Sequence, residues 1–181
     1  MNAQPYAPHI RGFTLFELMI TMSVMGVLLA VAVPSFISSL SNNTIIIVNN
    51  ELLSAINLSR SEAIKRNVPV SICATQDSNF NACGASWQLG WLVFVNPTGG
   101  TTLSNTATAP LLRIHRINNT AVTLTPSPSV NIITYNGSGF PATGSSNITF
   151  TTKATGCTID SGRSLAISIT GRPVITRVNC P

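Results

Sequence analysis

Charge is what this sequence has least of. Asp, Glu, Lys and Arg together make up 8% of its 181 residues, against about 25% in an ordinary soluble domain. Aromatic residues are scarce too, at 6%. No HExxH, GxSxG or phosphate-binding glycine loop occurs, and Ile159-Asp160-Ser161-Gly162 has no histidine at a spacing that would serve it. The two histidines, His9 and His115, and the five scattered acids form no constellation for acid–base chemistry. A catalytic role is therefore not expected. Four cysteines are present, but none are spaced as CxxC, which argues against a zinc site or a thioredoxin-type redox pair. No metal and no other cofactor is expected.

The little charge there is lies unevenly. Residues 1–110 carry equal numbers of acids and bases, so the whole formal excess of +5 falls in residues 111–181. Such an excess either keeps a charge-poor domain soluble or meets an anionic partner. Between Leu18 and Asn50 there is no charged residue at all, and Leu18 to Val33 is almost continuously apolar. A bilayer core takes about 20 such residues, and Arg11 ahead of the run puts the N-terminus on the cytoplasmic side by the positive-inside bias. A cleaved signal peptide fits less well, because Val33-Pro34-Ser35-Phe36 offers no small-residue site after the run.

Beyond the apolar run, Ile45, Val48, Leu52, Ala55, Ile56, Ser59 and Ala63 recur at steps of three and four, the mark of one helical face. Glu51, Arg60, Glu62, Lys65 and Arg66 fall largely off it. Val68-Pro69 ends the pattern, since the residue before proline is pushed out of the helical region. One helix from residue 13 to 67 is expected, roughly 80 Å long at 1.5 Å per residue, with a kink or an opened turn at Pro34. From there on the period changes to two. Strands are expected at Val70–Ala74, Leu89–Asn96, Leu111–Ile117, Ala121–Thr125, Asn131–Asn136, Asn147–Thr152, Ser164–Thr170 and Val174–Asn179, with Gly, Pro and Asn turns between them. Trp91, Val93 and Val95 should pack on the helix while Leu92 and Phe94 face the second layer. In the third strand, Leu112 and Ile114 should face one way and Arg113 and His115 the other, giving a sheet with one face on the helix and one in water. The fold class is thus α+β: a long N-terminal helix, half transmembrane and half amphipathic, packed on an antiparallel β-sheet head. Outside a reducing compartment, Cys73, Cys83, Cys157 and Cys180 read as two disulfides. Three connectivities are open, and the local pairs Cys73–Cys83 and Cys157–Cys180 are favoured because each closes a loop within one end of the head.

Arg11-Gly12-Phe13-Thr14-Leu15-Phe16-Glu17, running straight into the apolar helix, resembles the signal of type IV prepilins and type II secretion pseudopilins. The stretches Asn50 to Asn67, Val70-Ser71-Ile72-Cys73 and Trp87 to Asn96 are similar to the FimT/GspH branch of that superfamily. The resemblance implies a pilin-like fold and three segments: a leader at 1–12, a helix at 13–67 whose residues 13–40 serve membrane and assembly, and a β-rich head at 68–181. It implies cleavage between Gly12 and Phe13 by prepilin peptidase and N-methylation of Phe13. It also implies that Glu17 attracts the new terminal ammonium of a neighbouring subunit, although a carboxylate on an apolar helix is costly. The implied partners are other pilins or pseudopilins, the peptidase and inner-membrane lipid. The implied location is the bacterial inner membrane, crossed once with the head in the periplasm, and later a pilus or pseudopilus.

Two roles follow from the resemblance: a minor pilin that helps build a type IV pilus, or a type II secretion pseudopilin. The FimT branch adds DNA capture during natural transformation, described by a C-terminal Gly-Arg-x-Arg stretch. Here the match is Gly171-Arg172-Pro173-Val174, without the second arginine, and Arg177 follows at an odd step that puts it across a regular strand from Arg172. The DNA-binding candidates are Arg172, Arg177, Arg163 and Lys153, for sequence-independent contact with duplex phosphates.

Overall fold

The computed structural model describes residues 12–100, 109–142 and 148–180. Residues 1–11, Arg11 and His9 among them, and Asn147, the expected start of the sixth strand, lie outside those described residues. The chain divides into two compact units, Met1–Ile37 and Ser38–Pro181.

One helix, α1 (Leu15–Arg66), belongs to both units. Its secondary structure continues through Pro34, where a kink or an opened turn was expected. A proline removes one donor and crowds one carbonyl, and the rest of the ladder carries on. In the first unit no residue of the most apolar 18-residue window is buried, and that window has a mean hydropathy of 2.2. This part of α1 is long and apolar enough to cross a membrane.

In the second unit α1 has an inside and an outside. Ile45, Val48, Asn49, Leu52, Ala55, Ile56, Ser59 and Ala63 are buried. The two polar members of that face are tied to their own helix, Asn49 donating to the Ile45 carbonyl at 3.1 Å and Ser59 to the Ala55 carbonyl at 2.8 Å. Asn67, with φ of 53°, closes the helix in the left-handed conformation common one residue past a helix end. Gly137 comes so close to Asn67 that a Cβ there would stand 2.6 Å from the Asn67 amide oxygen.

The strands are β1 (Val70–Thr75), β2 (Ser86–Val95), β3 (Leu111–Arg116), β4 (Val122–Ser127), β5 (Ile132–Tyr135), β6 (Ile148–Ala154), β7 (Gly162–Ile167) and β8 (Pro173–Val178). They form two antiparallel four-stranded sheets rather than one, in the orders β3-β2-β1-β5 and β4-β6-β7-β8. One hydrophobic core joins the buried face of α1 to both: Ile72, Trp91, Val93 and Ile133 from the first sheet, Leu124, Phe150, Leu165 and Ile167 from the second. β6 alternates strictly, Ile148, Phe150, Thr152 and Ala154 in and Thr149, Thr151 and Lys153 half out, as a sheet with one wet face should.

The first sheet departs from that simple scheme in two places. All of β1 is buried, because the loop after it folds back over the far face, where Cys73, Phe80, Leu92, Phe94 and Ile132 make a second small core. In β3 the expected facing holds for Leu112, which packs against the main core, and fails beyond it. Ile114 is exposed, while Arg113 and His115 turn toward α1. The bulge in the β2–β3 register between Val93 and Phe94 re-aims the strand. On that edge the helix offers Ser54 and Glu51, which satisfy polar side chains that water would otherwise serve.

Candidate functional site

Three groups of residues bear on function: the helix start, the disulfide-stapled ends of the head, and the basic side chains. At the helix start, residues 12–14 are irregular and helix begins at Leu15. The Glu17 N–H donates to the Thr14 hydroxyl at 3.2 Å, and the Leu18 N–H to the Thr14 carbonyl at 3.2 Å. Thr14 is therefore the cap, and Glu17 stands three residues on, in the arrangement of a capping box. Its negative charge suits the positive end of the helix dipole. Sequence reasoning named Glu17 but overlooked Thr14, although Thr-x-x-Glu was there to be read. Among the described residues nothing beyond its chain neighbours lies within 4 Å of where a Gly12 Cβ would sit, and Phe13 is 81% exposed.

In the head, Cys73 is bridged to Cys83 and Cys157 to Cys180, at sequence separations of 10 and 23. The first bridge pins the loop over the small second core. Arg116 supports it from β3, with its guanidinium 4.4 Å from the Phe80 ring centroid and bonded to the Ser78 carbonyl at 2.5 Å. The second bridge ties the loop after β6 to the chain just past β8. No three His, Cys, Asp or Glu side chains gather into a metal site among the described residues.

His115 is one of the side chains that sequence alone placed wrongly. Its ring stacks on Trp91 with centroids 4.3 Å apart and an angle of 19°, and its Nδ1 lies 3.7 Å from a Glu51 carboxylate oxygen. Burial lowers the His115 pKa, the Glu51 carboxylate pulls the other way, and Arg113 adds a lesser downward push. Burial also raises the Tyr135 hydroxyl to about 12, against an opposing pull from Arg60. That hydroxyl donates to the Gly171 carbonyl at 3.2 Å. Gly171 itself has φ of 79° and is crowded by Tyr135, Gly139 and Pro141, so both its conformation and its neighbours require a residue without Cβ. At the end of α1, Glu62 has its pKa lowered chiefly by the Arg66 hydrogen bond, at 2.6 Å.

The four basic candidates do not converge. Arg163 and Arg177 are directly opposite each other in the β7–β8 register, and Lys153 lies one residue beyond Thr152, the β6 partner of Arg163. Arg172 precedes β8, in the turn where its N–H donates to the Ser168 hydroxyl at 3.2 Å. Five residues of extended chain, about 16 Å, separate it from Arg177. No ion pair involves any of the four among the described residues.

With this geometry the chain compares with known proteins as follows. The family described as type II transport protein GspH matches residues 49–171, and the prokaryotic N-terminal methylation motif matches residues 8–33. The type IV minor pilin FimU of Pseudomonas aeruginosa, in two crystal forms, has the same fold. One form is 24% identical, covers 74% of this chain and 89% of that one, and gives a TM-score of 0.57. The other is 26% identical, with 71% and 90% covered and a TM-score of 0.54. The type IV major pilin protein PilA of Myxococcus xanthus is 49% identical over 37 residues, which is 20% of this chain and 17% of that protein. The chain thus spans only a small part of that relative's length.

Proposed function

The chain belongs to the GspH family, and from that membership and its pilin-like fold we propose that it is a minor pilin of a type IV pilus, processed by prepilin peptidase and built into the fibre as an assembly subunit. The family is one of structural pilin and pseudopilin subunits, so its work is assembly rather than turnover of a substrate. The observation that carries the proposal is at the helix start: the methylation motif covers residues 8–33, and both Thr14 and Glu17 follow the Gly12–Phe13 bond. Cleavage there leaves the cap intact. The new Phe13 ammonium would stand at the positive end of the helix dipole, an unfavourable place for a cation. A carboxylate such as Glu17 of a neighbouring subunit relieves it, and in apolar surroundings the attraction is strong. Assembly would then remove the bare apolar helix from lipid and pair its one acid in the same step.

The test is intact mass and N-terminal sequencing of the subunit in sheared fibres. The expected terminus is N-methylated Phe13, and Gly12→Val should keep the leader on and the subunit out of the fibre. Finding residues 1–12 on the assembled subunit would overturn the reading. Deleting the gene separates the two machines: loss of pili with secretion intact marks a pilus subunit, and the reverse marks a type II secretion pseudopilin.

DNA capture is the second reading. What favours it is the concentration of the whole +5 excess in residues 111–181. What narrows it is the separation of Arg172 from the other three bases, which a duplex would have to bridge. Detergent-solubilised full chain should then shift duplex with a log–log salt slope of about −0.9 per phosphate contact. Arg172→Gln and Arg177→Gln should each weaken the shift, and equal affinity in both variants and the parent would remove this reading.

A further inference from the structure

Three elements of the second unit meet at the C-terminal end of α1: the last turns of the helix, the loop between β5 and β6, and the turn between β7 and β8. Gly139 seats the loop on the helix, since a Cβ there would stand 2.7 Å from Ile64 Cδ1 and 3.4 Å from Arg60 Nε. Gly171 seats the turn on the loop, since a Cβ there would stand 3.0 Å from both the Gly139 carbonyl oxygen and Pro141 Cδ. Each of these glycines has a φ of 79°, so neither close approach tolerates a side chain. The loop is also braced from within. The Asn136 side-chain oxygen accepts from the N–H groups of Ser138 and Phe140, at 3.0 Å each.

This braced junction presents apolar side chains to the outside, one from each element. Ile64 of α1 is 51% exposed, Phe140 of the loop 49% and Ile169 of the turn 59%. A single exposed apolar residue is ordinary, but three gathered on a fixed surface mark a contact site. Cations stand among them. Arg60 reaches Gly139 with its Nε buried and without a hydrogen-bond partner among the described residues. Arg172 follows Gly171 directly, and neither arginine takes part in an ion pair among the described residues. Glu62 is the only acid in the three segments, and it is already taken up by Arg66 at 2.6 Å and Lys65 at 3.9 Å.

The chemistry of the patch selects its partner. A guanidinium N–H shut away from water needs an acceptor, and a carboxylate gives it the strongest bond while offsetting the unpaired charge. Ile64 and Ile169 are aliphatic, so they gain by covering other apolar side chains and have no ring on which a base could stack. Together these features fit protein better than nucleic acid.

We propose that this junction is a docking surface for a neighbouring subunit of the fibre: apolar side chains of that subunit cover Ile64, Phe140 and Ile169, and an Asp or Glu beside them pairs with Arg60 and Arg172. The proposal rests on the reading of the chain as an assembly subunit. It gives Arg172, which stands apart from Arg163 and Arg177, a companion on α1.

The experiment puts the photo-reactive residue p-benzoylphenylalanine in place of Phe140 in the full chain, irradiates cells that make the fibre, and identifies the adducts by mass spectrometry. The expected product is a link to a second pilin-type subunit, at an apolar residue next to an Asp or Glu. Ile169→Ser should lower the adduct yield per chain about tenfold, and Arg60→Gln and Arg172→Gln about threefold each. Arg163→Gln should change nothing. Urea midpoints of the detergent-solubilised variants should match the parent, which separates lost docking from lost folding. A link to a segment without acids, an adduct with nucleic acid, or a yield that Arg163→Gln lowers as much as Arg172→Gln does overturns the proposal. A chain that enters the fibre and gives no adduct defeats this proposal alone. One that never enters defeats the assembly reading as well.

Discussion

Before Ile37, α1 leaves Val27, Leu28 and Val31 more than half exposed, while after Ser38 it buries Ile45, Leu52 and Ile56 completely. Apolar residues make up most of the first stretch and less than half of the second, and the difference lies on the opposite face. The second stretch sets Glu51, Arg60, Glu62 and Lys65 against its apolar stripe, so one side can be covered by two sheets and the other left in water. The first stretch is apolar all round, so no single covering surface could satisfy it. Lipid, or the helices of other subunits, would. A helix that is complete on one half and unfinished on the other suits a subunit that folds its head alone and then needs a crowd.

The largest effect should separate those halves. Leu52→Ala removes a fully buried side chain from the shared core and should cost the head about 3 kcal/mol, within the usual range for such cavities. Leu28→Ala, at a site that is 65% exposed, should leave head stability within about 0.5 kcal/mol and weaken only membrane partition. Urea titration of the detergent-solubilised chain reads the first quantity and flotation with liposomes the second. Equal destabilisation by both changes would break the division drawn here. Next come the bridges, both in the second unit. Replacing Cys157 and Cys180 together by serine opens a separation of 23 residues and should cost about 3 kcal/mol. The Cys73 and Cys83 pair closes only 10 and should cost somewhat less. Neither change should alter flotation.

How much of this could be read in the sequence follows the same boundary. The helical face from Ile45 to Ala63 was legible because a single period ran through it, and all eight strands were legible because turn residues bounded them. The division into two sheets was not. Strand order depends on pairings such as Val70 with Tyr135 and Leu124 with Thr152, whose partners lie far apart in sequence, and alternation says only that a strand has two faces. β1 hid a second buried face because its cover, Phe80 under the Cys73–Cys83 loop, bears no periodic mark. β3 misled for a related reason: a bulge shifts its register, and polar Arg113 and His115 go inward where Ser54 and Glu51 wait on α1. The basic residues came from the Gly-Arg-x-Arg resemblance and the charge count, and neither shows which strands lie side by side.

The smallest effect tests that inward turn. His115 sits between the Trp91 ring and Glu51, with Arg113 two residues away on the same strand. Burial lowers its pKa more than Glu51 restores it, so the unfolded chain takes up the proton more readily than the head does. The sign follows: stability is unaffected well above the ordinary histidine value of about 6.5 and declines as pH falls through it, because protonation favours the unfolded state. His115→Phe keeps the stack on Trp91 and should flatten the stability profile between pH 7.5 and 5.5. Glu51→Gln removes the attraction that favours the charged ring and should steepen it, whereas Arg113→Gln removes a repulsion and should make it shallower. Urea midpoints at three pH values for the four proteins suffice. A parent head that grows more stable on acidification in this window, with His115→Phe abolishing the gain, would mean that the Glu51 contact outweighs burial and that β3 presents a charged pair to the helix rather than a stacked neutral ring.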